Sequence, residues 1–349
     1  MRKLNVAILC GGISSEHEIS CLSAGGVLSG IDSEKFNPIL IGITKAGKWV
    51  LLPNDYQLSI VDGKLPEIED NSNQVLTDMS GFLVHGKNLE IDIVFPALHG
   101  AYGEDGTVQG LLEIANIAYV GSGVLASAVS MDKSFAKEIF QASGIKVADG
   151  IVITKHTKTL EIDDLAYPVF VKPARGGSSR GTHKVHSFES LSPAISDAYL
   201  YDNKVMIEQA VVGLEIECAV LEVNGAINAS VVGEIKIDPK YDFYDFEAKY
   251  LDGATTIEVP ARIPEKDAQE IRRLAVEAFK SLGCSGLARC DFFYTSGGEI
   301  IINEINTMPG FTGTSVYPKL WAKSGVEFKE LITALLETAL KRTNSTLSL

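Results

Sequence analysis

Val6-Ala7-Ile8-Leu9-Cys10, closed by Gly11-Gly12, is an unbroken apolar run that stops at a turn. A run with no polar alternation suits a strand buried on both faces, as in parallel sheets covered by helices. Downstream, Ser15 stands three residues before Glu18, a spacing that offers a capping box for a helix over residues 19–28. Working outward, residues 38–44, 91–96 and 118–121 read as strands and 107–115 as a helix. This alternation predicts an α/β fold opening on a parallel sheet. Residues 53–80 are polar and poorly periodic, and read as a peripheral excursion.

A second unit starts near Met131. Asp132 is placed to cap a helix through Gln141, with Gly144 past its end. Residues 167–172 read as a strand, 187–201 as helical and 205–210 as a strand. In a third unit, 217–222 and 226–235 read as strands. Residues 264–282 form the clearest helix: Ala268, Ile271, Leu274, Ala275, Ala278, Phe279 and Leu282 make one apolar stripe. Pro264 suits the first turn and Gly283 the position past the end. The polar stretch 342–349 reads as a frayed end.

The 349 residues, 46% hydrophobic and 22% charged, fit two or three globular domains. Against 31 Lys and Arg stand 45 Asp and Glu, a net charge of −14. That excess opposes binding to nucleic acid or to an anionic membrane, so any bound phosphate needs positive charge gathered locally. Cys10, Cys21, Cys218, Cys284 and Cys290 are odd in number and match no zinc spacing. Cys10, Cys218 and Cys290 lie in apolar runs and read as buried small hydrophobes, and a cytoplasmic location is expected. The opening apolar run is too short for a signal sequence or a membrane span, and no other stretch reaches spanning length.

Residues 287–294 read as a strand, Thr295-Ser296-Gly297-Gly298 as a turn and 299–306 as the returning strand. Side chains alternate along a strand, so Arg289, Asp291 and Phe293 share a face. On the return, Ile300, Ile302, Glu304 and Asn306 share one. If the two faces coincide, Asp291, Glu304 and Asn306 converge beside Arg289. Such oxygen ligands suit Mg²⁺, which accepts one or two carboxylates together with substrate phosphates and water. Arg289 suits a phosphate or a developing oxyanion. The competing reading is a solvated strand face with ordinary ion pairs. Residues 307–315, with two glycines, a proline and several hydroxyls, form a loop whose backbone N–H groups can face a ligand.

A second loop, Lys172-Pro173-Ala174-Arg175-Gly176-Gly177-Ser178-Ser179-Arg180-Gly181, follows a strand. Its glycines admit an anion to the backbone amides, and Lys172, Arg175 and Arg180 supply local positive charge. It lacks the Gly-Lys-Ser/Thr ending of a Walker loop, and no Gly-x-Gly-x-x-Gly follows the first strand.

In this order, several stretches closely resemble the D-alanine–D-alanine ligases of the ATP-grasp superfamily. They are Gly11-Gly12-Ile13-Ser14-Ser15-Glu16-His17-Glu18, Ala97-Leu98-His99-Gly100, Gly103-Glu104-Asp105-Gly106, Met131-Asp132-Lys133 and the loop at Lys172. Then follow Tyr244-Asp245-Phe246-Glu247-Ala248-Lys249-Tyr250, Ala288-Arg289-Cys290-Asp291 and Asn303-Glu304-Ile305-Asn306-Thr307-Met308-Pro309-Gly310. The resemblance runs from Val6 to about Leu340. It implies an ATP-grasp fold of three α/β domains, an N-terminal Rossmann-like substrate domain over 1–120, a central one over 121–212 and a C-terminal one over 213–349. It implies ATP, two Mg²⁺ or Mn²⁺ ions, small-molecule substrates and a homodimer.

The same resemblance implies residue roles. Lys133, Lys172 and Lys249 contact phosphate, while Glu208, Ala210, Val211, Glu215 and Phe293 surround the nucleotide. Asp291, Glu304 and Asn306 hold the metals. Glu16 binds the first D-alanine's ammonium and orients Ser178, which links to Tyr250. Arg289 and the Gly310 N–H meet the oxyanion, Ser315 takes the second substrate's carboxylate, and His99 sits near the reacting groups. Simpler readings stand beside these: first-turn helix electrostatics for Glu16, exposed strand-end carboxylates for Glu208 and Glu215, a braced turn for His99. Residues 242–251 read as a lid or as an ordinary surface loop. Tyr250 goes with D-alanine as acceptor. Phe246 departs from the tyrosine of many relatives, which alters lid contacts more than chemistry. Thr314 and Tyr317 leave the second subsite open. The alternatives are a D-alanine–D-lactate ligase, a nucleotide-binding module without turnover, and a nicotinamide-dependent oxidoreductase.

Overall fold

The structure is a computed structural model, which describes residues 2–157, 166–237 and 255–342. β1 (Leu4–Gly11) leads into α1 (His17–Gly30), followed by β2 (Phe36–Ile43) and β3 (Trp49–Leu52). A small antiparallel sheet of β4 (Val75–Asp78), β5 (Gly81–Val84) and β6 (Lys87–Asn88) comes next. β7 (Ile93–Pro96), α2 (Thr107–Ile114) and β8 (Ala118–Tyr119) complete the N-terminal part. The main sheet has the order β3-β2-β1-β7-β8, parallel except at β3. Val6 to Cys10 are fully buried, as the apolar run predicts. Val6, Ile8 and Cys10 pack with α1, while Ala7 and Leu9 pack with Val108 and Leu112 of α2.

Two expectations for this region are corrected. α1 starts at His17, and no side chain caps it. Glu18, the expected partner of Ser15, instead pairs with Lys45 at 2.7 Å. The excursion after Pro53 is not merely peripheral. Leu58, Ile68 and Val75 are buried, and the Ile68 N–H donates to His17 Nε2 at 3.0 Å.

α3 (Val124–Met131), which the sequence reading lacks, runs into α4 (Lys133–Ala142). Asp132 caps α4 as expected, accepting the N–H groups of Ser134 and Phe135. β9 (Gly150–Thr154), β10 (Val169–Pro173), β11 (His183–Val185), α5 (Leu191–Ala198) and β12 (Lys204–Gln209) follow. Their sheet is antiparallel, in the order β11-β10-β12-β9.

The third sheet, β15-β14-β13-β16-β17, is also antiparallel. It comprises β13 (Gly213–Val223), β14 (Ala226–Ile237), β15 (Thr255–Glu258), β16 (Leu287–Thr295) and β17 (Ile300–Asn306). α6 (Glu265–Ser281) lays Ile271, Leu274, Ala275, Ala278 and Phe279 against it. α7 (Val316–Lys323) packs against β13 and β14, while α8 (Phe328–Lys341) reaches back to β7 and β8, so Leu331, Leu335 and Leu336 share one core with Val6 and Ile8.

The hairpin pairs Arg289 with Asn306 and Asp291 with Glu304, and then slips: Phe292 faces Ile302. Asn303 is the extra residue of this bulge, which reverses the side-chain alternation. Ile302 is therefore buried in the core beside Phe292 rather than sharing the face of Glu304. The chain end is also corrected at one residue. Arg342 is anchored: its Nη atoms donate to the carbonyls of Gly121 and Tyr119, and its guanidinium lies 4.3 Å from the centre of the Tyr119 ring. Residues 343–349 lie outside the described residues. Among the described residues no helix is long and apolar enough to cross a membrane.

Candidate active site

A cleft of about 940 Å³ is lined by residues of the second and third main sheets and their loops, and by α1 and loops of the N-terminal part. One wall is built by β10 and β12, whose register sets Glu208 opposite Phe170, two residues from Lys172. Lys172 Nζ lies 2.7 Å from Glu208 Oε2 and donates to Asn303 Oδ1 at 3.3 Å. The other Glu208 oxygen meets the Lys137 ammonium. Burial works against a charged Glu208, but the two lysines prevail and hold its carboxyl at about 2. Burial pushes the Lys137 ammonium down, against the pull of Glu208. Glu208 is thus not an exposed strand-end carboxylate. Ala210, Val211 and half-buried Glu215 continue this wall, and Phe293, on β16, lines the cleft as well.

The opposite wall is the β16–β17 hairpin. Arg289 forks onto Asp291, with Nε and Nη2 each 2.7 Å from a carboxylate oxygen. Glu217, buried on β13 across from Asp291, lies 3.0 Å from Arg289 Nε. Asn306 Nδ2 donates to Asp291 Oδ2 at 3.0 Å. Lys133, at the start of α4, donates to the Gly176 carbonyl at 2.8 Å and pairs with Glu304 at 3.2 Å. Burial would lower the Lys133 pKa, yet Glu304 raises it above the ordinary lysine value. The expected Asp291, Glu304 and Asn306 therefore do converge beside Arg289, over the bulge.

The third side belongs to the N-terminal part. Glu16, buried at the head of α1, accepts the Ser178 hydroxyl. A Cβ on Gly177 would overlap that carboxylate, so only glycine lets the loop approach so closely. Ser178 and Ser179 hold φ at +49° and +55°, left-handed backbone that turns the loop toward Glu16. His99 is buried, its Nε2 is 2.8 Å from Ser23 Oγ, and burial lowers its pKa, so it is neutral. Gly310 and Ser315 line the floor, where Ser315 Oγ accepts the Thr312 N–H at 3.0 Å.

Arg175 is a departure. It turns onto Asp202, with Nη2 at 2.5 Å and Nε at 3.1 Å, and also donates to Asn203 at 2.8 Å. It does not line the cleft. Lys249, Tyr250 and Phe246 lie outside the described residues.

Sequence reasoning missed Lys137, Glu217, Asn303, Ser23 and Glu104. Lys137 stands one helical turn after Lys133, and Glu217 one pleat after Glu215, so periodicity alone marks both. Ser23 lies two helical turns after Glu16. Asn303 is visible only through the bulge. Glu104, half-buried in the cleft, has its carboxyl pushed up to about 8 by burial and by nearby Glu16.

Among the described residues no three His, Cys, Asp or Glu side chains gather as a metal centre. Two carboxylates and an amide oxygen nevertheless suit a hard cation that shares its ligands with phosphates and water. Lys133 and Arg289 now balance those carboxylates. The cleft thus has ammonium groups for phosphate, hard oxygens for a divalent cation and a carboxylate for an amine.

Comparison with known proteins agrees with this geometry. The family models described as D-ala D-ala ligase N-terminus and D-ala D-ala ligase C-terminus match residues 5–122 and 139–337. A D-alanine–D-alanine ligase of Mycolicibacterium smegmatis (strain ATCC 700084 / mc(2)155) is 47% identical over 360 residues, covering 97% of this chain and 96% of that protein. The solved D-alanine-D-alanine ligase of Coxiella burnetii superposes with a TM-score of 0.85 at 34% identity, over 98% of this chain and 95% of that one. The VanG D-Ala:D-Ser ligase of Enterococcus faecalis gives 0.86 at 36% identity, over 97% and 100%. On two family matches that span most of its length, laid over a cleft of this chemistry, the chain belongs to the D-alanine–D-alanine ligase family, with its ATP-grasp fold.

Proposed function

We propose that the chain joins two D-alanines into D-alanyl-D-alanine for peptidoglycan synthesis, at the expense of ATP. The carboxylate of one D-alanine attacks the γ-phosphoryl group; ADP leaves and an acyl phosphate forms. The amine of the second then attacks that carbonyl; phosphate leaves and the amine loses a proton. The observation that carries this reading is one cleft with the Glu16–Ser178 pair on one side and Lys133, Lys172 and Arg289 on the others.

In this reading Lys133 and Lys172 offset charge on the transferring phosphoryl group. Glu208, Ala210, Val211, Glu215 and Phe293 form the nucleotide end, with Glu208 acting through Lys172. Asp291, Glu304 and Asn306 would hold two Mg²⁺ or Mn²⁺ ions, which when bound neutralise phosphate charge. Glu16 takes the first substrate's ammonium and orients Ser178, whose hydroxyl it accepts. Arg289 and the Gly310 N–H stabilise the oxyanion, and Ser315 receives the second carboxylate. His99 lies beside them. Lys249 and Tyr250 are assigned to a lid that excludes water from the acyl phosphate. Domains over 1–120, 121–212 and 213–349, a homodimer and a cytoplasmic location complete the proposal.

Incubation with ATP, Mg²⁺ and D-alanine tests it: ADP, phosphate and the dipeptide are expected in equal amounts. With D-lactate and D-serine as competitors near neutral pH, a dominant ester or a dominant D-alanyl-D-serine would overturn the acceptor assignment. Absence of D-alanine-dependent ADP release would favour a module without turnover.

A further inference from the structure

The loop that carries Gly310 belongs to the C-terminal part of the chain, yet its backbone is gripped from the N-terminal part. Ser23, on α1, accepts the Phe311 N–H at 3.2 Å and lies 2.8 Å from His99 Nε2. A hydroxyl has one proton and two lone pairs, so Ser23 holds both the Phe311 N–H and the His99 ring whichever imidazole nitrogen carries the proton. Glu104 accepts the N–H of Gly100, the residue after His99, at 2.6 Å. The α1 backbone itself presses on the same turn: a Cβ on Gly26 would overlap the Phe311 carbonyl and stand 2.9 Å from Thr312 Cα. Phe311 is fully buried, with its ring 5.3 Å from that of Phe95.

The Gly310–Phe311 peptide is thus held by a side chain 288 residues away in sequence, and that side chain is bonded to His99, whose turn Glu104 ties at the Gly100 N–H. We propose that Ser23 and Glu104 are positioning residues, which hold the Met308–Phe311 turn so that the Gly310 N–H meets the oxyanion. The inference rests on the reading of that N–H as an oxyanion donor. Donors of this kind act through preorganisation, and loss of one typically costs about 10²–10³ in rate. The reaction offers a sharp discriminator. Attack on the γ-phosphoryl group creates no tetrahedral carbon, whereas attack of the amine on the acyl phosphate does. A disordered Gly310 slows the second step and spares the first.

Ser23→Ala removes one oxygen and adds no volume; Glu104→Gln keeps the shape and one acceptor. Either variant suffices should the other fail to fold. In single-turnover experiments with Mg·ATP and D-alanine, ADP formation is expected within about twofold of the unsubstituted protein, and dipeptide formation at least tenfold slower. The KM values for ATP and the first D-alanine stay within about twofold, while amide hydrogen exchange at residues 308–311 accelerates. Unchanged exchange at that turn, or equal slowing of both steps, overturns the positioning role. Faster exchange with an unimpaired dipeptide step shows instead that the oxyanion reading of Gly310 is wrong.

Discussion

Two ionic clusters face the same cleft and are built on opposite terms. At the first, Glu208 and Lys137 side chains are each 6% exposed, and Lys172 closes the second carboxylate oxygen. At the second, Lys133 and Glu304 are 15% and 20% exposed, and Arg289 and Asp291 18% and 15%. A buried ion pair gains little over a hydrophobic substitute, but removing one partner strands the other charge away from water. The Lys137–Glu208 pair of the first cluster is therefore a fixed frame, and its second carboxylate oxygen holds Lys172 in place at the cleft. The second keeps contact with solvent, so its cations can be exchanged for a metal ion or a phosphate at modest cost.

The largest effect should come from breaking the closed cluster. Glu208→Ala leaves Lys137 and Lys172 without their counter-charge, and a loss of about 3–5 kcal/mol is expected in denaturant unfolding. The pH dependence has a definite sign. Glu208 is held at about 2 against an ordinary value of 4.5. Its contribution to stability is complete above pH ~4.5 and fades as pH falls toward 2. The variant should therefore lose its deficit in acid; a deficit constant down to pH 2 would contradict the frame.

At the open cluster the balance is reversed. Glu304→Gln is expected to cut turnover more than tenfold and to raise the Mg²⁺ concentration needed for half-maximal rate, with unfolding changed by less than about 1 kcal/mol. Near-normal activity would remove Glu304 from the metal site. The smallest effect on turnover belongs to Arg175→Gln, since the Arg175–Asp202 pair stands outside the cleft, with its arginine 49% and its aspartate 5% exposed. Turnover within twofold is expected, with a stability loss of about 1–3 kcal/mol because the buried Asp202 carboxylate loses its guanidinium. A large loss of activity there would restore Arg175 to the phosphate site.

Much of this was legible because it depends on local pattern. The first strand, the cap at Asp132 and the stripe of α6 follow from apolar periodicity and capping chemistry, which act over a few residues. The convergence of Asp291, Glu304 and Asn306 was legible from strand alternation, but the placing of Ile302 was not. A bulge changes the alternation and has no spacing signature of its own. Arg175 looked like a phosphate ligand because composition records charge and not direction. Its partner, Asp202, is 27 residues away and only the folded sheet brings it there. Ser23 escaped for the same reason, since its partners lie across the chain at His99 and Phe311.

The packing of α8 beneath β1 has a consequence for how the chain is made. Val6 and Ile8 share one apolar cluster with Cys21 and Ala24 of α1 and with Leu331 and Leu336, so the cover that α1 begins is completed only by α8. During synthesis, at about 5–20 residues per second, that core stays incomplete for tens of seconds. Contacts of such sequence separation also slow the search for the native state. A nascent chain paused before residue 328 therefore leaves part of this apolar cluster uncovered.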